Sequence, residues 1–129
     1  MRDYYVTERQ KRTFEELQDV VHKSCVQAGW YTDLDTGKPI TRNFGEVIAL
    51  MHSELSETLE GWRKNQMDSH LPDRPAVEVE LADVIIRVLD TAGAMKLDLA
   101  GALRDKFAYN QTRADHAIEN RRKAGGKKI

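Results

Sequence analysis

Two segments of this chain, 43–64 and 75–94, each carry apolar residues at helical spacing along one side and a pair of carboxylates three residues apart on another. The pairs are Glu54 with Glu57 and Glu80 with Asp83, separated by residues 58–79. Residues three apart on a helix lie about 60° apart in azimuth and roughly 4.5 Å apart along the axis, so each pair offers two oxygen groups to one side. Four carboxylates brought together need a cation, so if two such helices face each other a hard-metal site results, the alternative being two solvated acidic faces. Abundance alone does not select these residues. The chain has four acidic i,i+3 pairs, Glu16/Asp19 and Glu57/Glu60 being the others, where its acidic content gives roughly three by chance. The matched layout of the two segments is what singles them out.

The remaining elements follow from caps and breakers. Thr7 caps a first helix over Glu8 to Ala28 with a stripe through Phe14, Leu17, Val21, Cys25 and Ala28, and Gly29 ends it. Residues 30–42 contain Pro39, turn formers and no apolar period, which predicts a loop with Trp30 and Tyr31 at its root. Asn43 through Glu46 has the form of a capping box opening a second helix to about Lys64, with its stripe at Ile48, Met51, Leu55, Leu59 and Trp62. Val47 and Leu50 share the side of Glu54 and Glu57, so that side is also partly covered. Asn65 to Arg74 is a polar loop. Pro75 opens a third helix to about Ala94, its apolar line being Val77, Leu81, Val84, Ile85, Val88 and Ala92, with Asp83, Arg87 and Asp90 opposite and Glu80 on the flank. Asp98 caps a fourth helix to roughly His116, with Leu99, Ala102, Leu103 and Phe107 expected toward the core.

A length of 129 residues fits one domain. Charged residues at 32% with aromatics at 7% and few Gly or Pro indicate an all-α soluble protein. The net charge of −1 excludes a dedicated nucleic-acid binder, whose footprint is strongly basic. Five basic groups and two adjacent glycines in the last ten residues read as a mobile tail over about 120–129. Cys25 is the only cysteine, so neither an internal disulfide nor a thiolate zinc site can form. No apolar run is long enough for a membrane span and the charged start does not resemble a secretory leader, so a cytoplasmic location without membrane attachment is expected.

Oxygen ligands suit Mg²⁺, with Mn²⁺ as a substitute, and Mg²⁺ commonly shares its shell with substrate phosphates. Lys106, Asn110 and Arg113, at steps of four and three, form a donor-rich line suited to polyphosphate oxygens. His22 with Asp19 resembles half of a di-iron ligand set, but no Glu-x-x-His occurs anywhere in the chain.

The run Gly45 to Glu60 (GEVIALMHSELSETLE) joined to Glu80 to Arg87 (ELADVIIR) resembles the MazG-like family of all-α nucleoside triphosphate pyrophosphohydrolases, whose signature is EXXE, a spacer and EXXD. The likeness extends through Lys106, Asn110 and Arg113 into the GGKK tail and is to the short, single-domain bacterial and phage members. It implies a four-to-five-helix fold whose four-helix core is completed by homo-oligomerisation, as a homodimer or homotetramer. It implies Mg²⁺ ligands at Glu54, Glu57, Glu80 and Asp83, and attack of activated water on the α-phosphorus of a nucleoside triphosphate to give the monophosphate and pyrophosphate. Glu57 and Lys106 are the expected catalytic groups, Lys106, Asn110 and Arg113 the phosphate contacts, and His22, Trp30 and Tyr31 candidates for the base pocket. Two other readings stand beside it: a phosphoribosyl-ATP pyrophosphatase, and a non-catalytic helical interaction module with solvated acidic faces.

Overall fold

In a computed structural model describing residues 4–129, the chain is all-α: helices α1 (Glu8–Gln27), α2 (Phe44–Arg63), α3 (Ala76–Ala94) and α4 (Leu99–Thr112), a 3₁₀ turn (Ala114–His116) and a short helix α5 (Ile118–Arg122). No strand forms among the described residues; the extended pairing is limited to two isolated bridges, Thr32 with Pro39 and Met67 with Pro75. Two compact units are defined, Leu17–Leu97 and a second made of Met1–Glu16 with Asp98–Ile129. No helix is long and apolar enough to cross a membrane.

Capping chemistry sets where the helices begin. Thr7 Oγ1 accepts from Gln10 N at 3.2 Å while Gln10 Oε1 accepts from Thr7 N at 2.9 Å, a reciprocal box at the start of α1. Asn43 Oδ1 accepts from Glu46 N at 3.1 Å at the start of α2. Asp98 Oδ1 accepts from Gly101 N at 2.9 Å at the start of α4, and a side chain at 101 would collide with that carboxylate. Pro75 precedes α3 rather than opening it, its carbonyl accepting from Glu78 N and Val79 N.

In the unit Leu17–Leu97, α2 and α3 form an antiparallel hairpin, with Gly61 against Ala76 at one end and Glu54 against Arg87 further along. Small residues set the spacing: a Cβ on Gly61 would lie 2.9 Å from that of Ala76. The helices meet by the sides that carry the carboxylates. Val47, Glu54 and Gly61 of α2 are buried, as are Ala76, Leu89, Asp90, Thr91 and Ala92 of α3. Part of each apolar stripe faces outward, leaving Leu55 46%, Leu59 56%, Trp62 69% and Ile85 54% exposed, while Ile48, Met51, Val77, Val84 and Val88 are half-buried. The C-terminal half of α1 lies on α3 at Gly93, where a Cβ would come within 2.5 Å of that of His22.

In the other unit, Arg104 Nη1 bonds Glu8 Oε1 at 2.5 Å and Tyr4 N donates to Gln111 Oε1 at 3.1 Å. Here α4 differs from its sequence reading in two respects. Leu103 and Phe107 are exposed, while Ala100 and Gly101 are buried. The helix also stops at Thr112 instead of reaching His116, because Arg113 turns extended and its guanidinium closes on Asp115, with Nε to Oδ1 at 2.9 Å and Nη2 to Oδ2 at 2.7 Å. In the segment read as a mobile tail, α5 forms and Arg121 donates to the carbonyls of Lys127 and Lys128 at 3.1 and 2.9 Å.

Candidate metal centre and its neighbouring cavities

The pairing of α2 with α3 brings carboxylate oxygens of Glu54, Glu57 and Glu80 within 4.8 Å of one another. Glu54 is buried, Glu80 half-buried and Glu57 exposed. Glu80 Oε2 is buried and has no hydrogen-bond partner. Burial, then the charges of Glu57 and Glu54, a hydrogen bond to Glu54 and the charge of Asp83 push the Glu80 carboxyl up to about 7. An orphaned carboxylate oxygen converging with two others is a donor set that fits a hard divalent cation.

Asp83 stands outside this group of three. It borders a cavity of about 380 Å³ that Glu54 also lines, together with Cys25, Trp30, Arg42 and Arg87. Glu57 and Glu80 border a second cavity of about 300 Å³, walled by Gly61, Asp68 and Ala76. Glu54 is not free of cations: Arg87 bonds its Oε1 through Nε at 2.7 Å and Nη2 at 2.6 Å.

The three base-pocket candidates separate. His22 and Tyr31 line a cavity of about 390 Å³ with Arg42, Phe44, Thr91 and Met95, whereas the exposed Trp30 lines the cavity beside Glu54. Arg42 borders both and lies over the Trp30 ring at 5.9 Å. Asp90 joins the two walls. It is buried, and its Oδ1 meets His22 Nδ1 at 2.8 Å while its Oδ2 accepts from the Tyr31 hydroxyl at 2.9 Å. The His22 and Tyr31 rings meet edge to face at 5.2 Å. Burial and the bond to Asp90 push the Tyr31 hydroxyl up to about 12, and burial followed by Asp90 raises the Cys25 thiol. Asp90, Arg42 and Arg87 are the residues of this region to which the sequence assigned no role. For Asp90 and Arg87 the signal was the run Glu80, Asp83, Arg87, Asp90 at steps of three, four and three on one side of α3; Arg42, in the loop before α2, had none.

In the second unit, Lys106 is exposed with its Nζ 4.9 Å from the centre of the Tyr109 ring. Asn110 Oδ1 is buried without a partner. Arg113 is engaged by Asp115, which holds the guanidinium pKa up and is itself lowered.

No family model, curated protein or solved structure matches this chain.

Proposed function

We propose that the chain is a Mg²⁺-dependent nucleoside triphosphate pyrophosphohydrolase acting in nucleotide-pool control. The observation that carries this reading is the convergence of Glu54, Glu57 and Glu80 with an unpartnered Glu80 oxygen, and the motif resemblance points the same way. A divalent cation bound there supplies screening of the triphosphate charge and a lowered pKa for water. Glu57, the exposed member, is the carboxylate open to take the proton as water attacks the α-phosphorus. The new bond joins water oxygen to the α-phosphorus, the α–β bridge breaks, and pyrophosphate leaves. Glu54, held through Oε1 by Arg87, keeps its other oxygen for the cluster, and Asp83 adds charge beside it. His22, Tyr31 and Trp30 supply polar and aromatic walls for a base, and it is the motif resemblance that proposes Lys106, Asn110 and Arg113 as phosphate donors.

A homodimer or homotetramer completes the proposal. The outward stripes of Leu55, Leu59, Trp62, Leu81 and Ile85 are larger apolar surface than a lone helical hairpin ordinarily exposes, and a second copy of the same face would cover them.

Incubation with the eight common ribo- and deoxyribonucleoside triphosphates and Mg²⁺, with chromatographic identification of products, tests the reading. Monophosphate plus pyrophosphate is expected. Diphosphate plus orthophosphate rules out α-phosphate attack, and an absence of turnover on every nucleotide favours a non-catalytic helical module.

A further inference from the structure

Arg87 stands against the cation reading of its own neighbourhood, because both of its hydrogen bonds to Glu54 run to one oxygen, Oε1, at 2.6 and 2.7 Å. Glu54 is only 8% exposed while the Arg87 side chain keeps 34% of its surface in water, so the pair is shielded from the carboxylate side and reached by solvent from the guanidinium side. The arrangement has two consequences. The guanidinium compensates one of three crowded carboxylates when no metal is bound, and it leaves a positive charge beside any ion that enters the cluster. We infer that Arg87 is a built-in counter-cation that stabilises the metal-free fold and weakens metal binding, so that the metal is held more firmly once substrate phosphate oxygens add to its shell. The inference rests on the metal centre proposed above.

The alternative role for such a residue is orientation. Groups that hydrogen-bond a metal ligand commonly strengthen binding by fixing its geometry, and their loss typically weakens affinity 10–100-fold. Here Glu54 is buried in the α2–α3 interface, which itself restricts where its carboxylate can lie. Orientation therefore depends less on Arg87 than charge does. A unit charge and a divalent ion roughly 6 Å apart repel by about a tenfold change in affinity even at the dielectric of water, and by more where water is excluded.

Two substitutions separate charge from orientation. Arg87→Gln removes the charge and keeps a donor for Oε1; Arg87→Lys keeps the charge and loses the two-point contact. Calorimetric titration with Mn²⁺ in the absence of nucleotide, alongside melting in chelator, supplies readouts independent of turnover. Arg87→Gln is expected to bind Mn²⁺ at least about tenfold more tightly than the wild type and to melt lower without metal. Arg87→Lys is expected to bind within about threefold of wild type. Unchanged or weaker binding by Arg87→Gln overturns the inference. So does a tenfold loss in Arg87→Lys, which identifies an orienting role and decides the matter even where the Gln variant does not fold. Wild-type binding at millimolar Mn²⁺ with no gain in Arg87→Gln overturns only the role of Arg87. No binding by wild type or variants, with Glu54→Gln as the control, overturns the metal centre and this inference together.

Discussion

Replacing Glu80 by Gln should make the metal-free protein more stable at alkaline pH. The Glu80 carboxyl sits at about 7 in the fold against 4.5 as a free side chain, because burial and the charges of Glu57 and Glu54 oppose its ionisation. Between those two values the folded chain keeps a proton that the unfolded chain has released. Folded protein therefore binds more protons, and stability falls as pH rises through this window. At roughly 1.36 kcal/mol per pH unit the interval amounts to about 3 kcal/mol, fully felt above pH 7 and absent below 4.5. Glutamine never ionises, so Glu80→Gln escapes the loss, less the smaller penalty of burying an amide. For a chain of this length about 3 kcal/mol corresponds to roughly 10 °C in melting temperature. Thermal scans of wild type and variant in chelator from pH 4.5 to 8.5 give the difference directly, and the other titrating groups are common to both proteins. The curves should converge near pH 4.5 and separate toward pH 8. Parallel curves, or a variant less stable than wild type at every pH, would show that Glu80 is not crowded by its neighbours.

Three further outcomes are expected. Glu57→Gln and Asp83→Asn should each lower pyrophosphohydrolase turnover at least about 100-fold with unchanged helical circular dichroism; near-normal turnover at saturating Mg²⁺ removes that residue from the site. Mg²⁺ at 100 times its dissociation constant should stabilise the wild type by roughly 2.7 kcal/mol, and the Glu54/Glu80 double Gln variant should lose most of that shift in a thermal scan. Asp90→Ala leaves His22 and Tyr31 without their shared acceptor and should lower stability by about 1–3 kcal/mol in urea titration, with KM for the nucleotide rising more than kcat falls.

The helix bounds of α2 and α3 were legible because local chemistry writes them: Asn43 caps one, and Pro75, whose carbonyl accepts the first helical N–H groups, immediately precedes the other. The acidic pairs were legible for the same reason, since spacing along one helix is a local property. Which sides of the two helices meet was not. Both sides of α2 carry apolar residues, and the deciding feature is the fit of Gly61 to Ala76, a contact between residues that a sequence pattern does not join. The Asp90 network escaped for a related reason. It ties the middle of α1, the root of the 29–42 loop and the end of α3, and its pairs lie 59 and 68 residues apart. Asp90 looked like one more solvated acid on a charged strip until its two oxygens were seen to be filled.

A hairpin that buries Glu54 and half-buries Glu80 while leaving Leu55, Leu59, Trp62, Leu81 and Ile85 exposed inverts, at those positions, the arrangement that would stabilise it alone. Among the described residues the buried apolar side chains are Val47, Ala76, Leu89, Ala92 and Ala100, three of them alanines, and alanine burial contributes little beyond allowing close approach. Against that stand crowded carboxylates whose ionisation at Glu80 opposes folding by about 3 kcal/mol above pH 7. The outward residues Leu55, Leu59, Trp62, Leu81 and Ile85 are 43–69% exposed, so burying what remains of each adds about half of the 1.5–3 kcal/mol of full burial, about 4–8 kcal/mol together, which exceeds that penalty. In the proposed assembly the surface that a second copy covers is thus the source of stability that lets the inner surface hold charge. The two sides of α2 and α3 then have separate tasks: small residues bring the backbones close enough for Glu54, Glu57 and Glu80 to converge, and the aliphatic stripes supply the free energy that keeps them there without a metal.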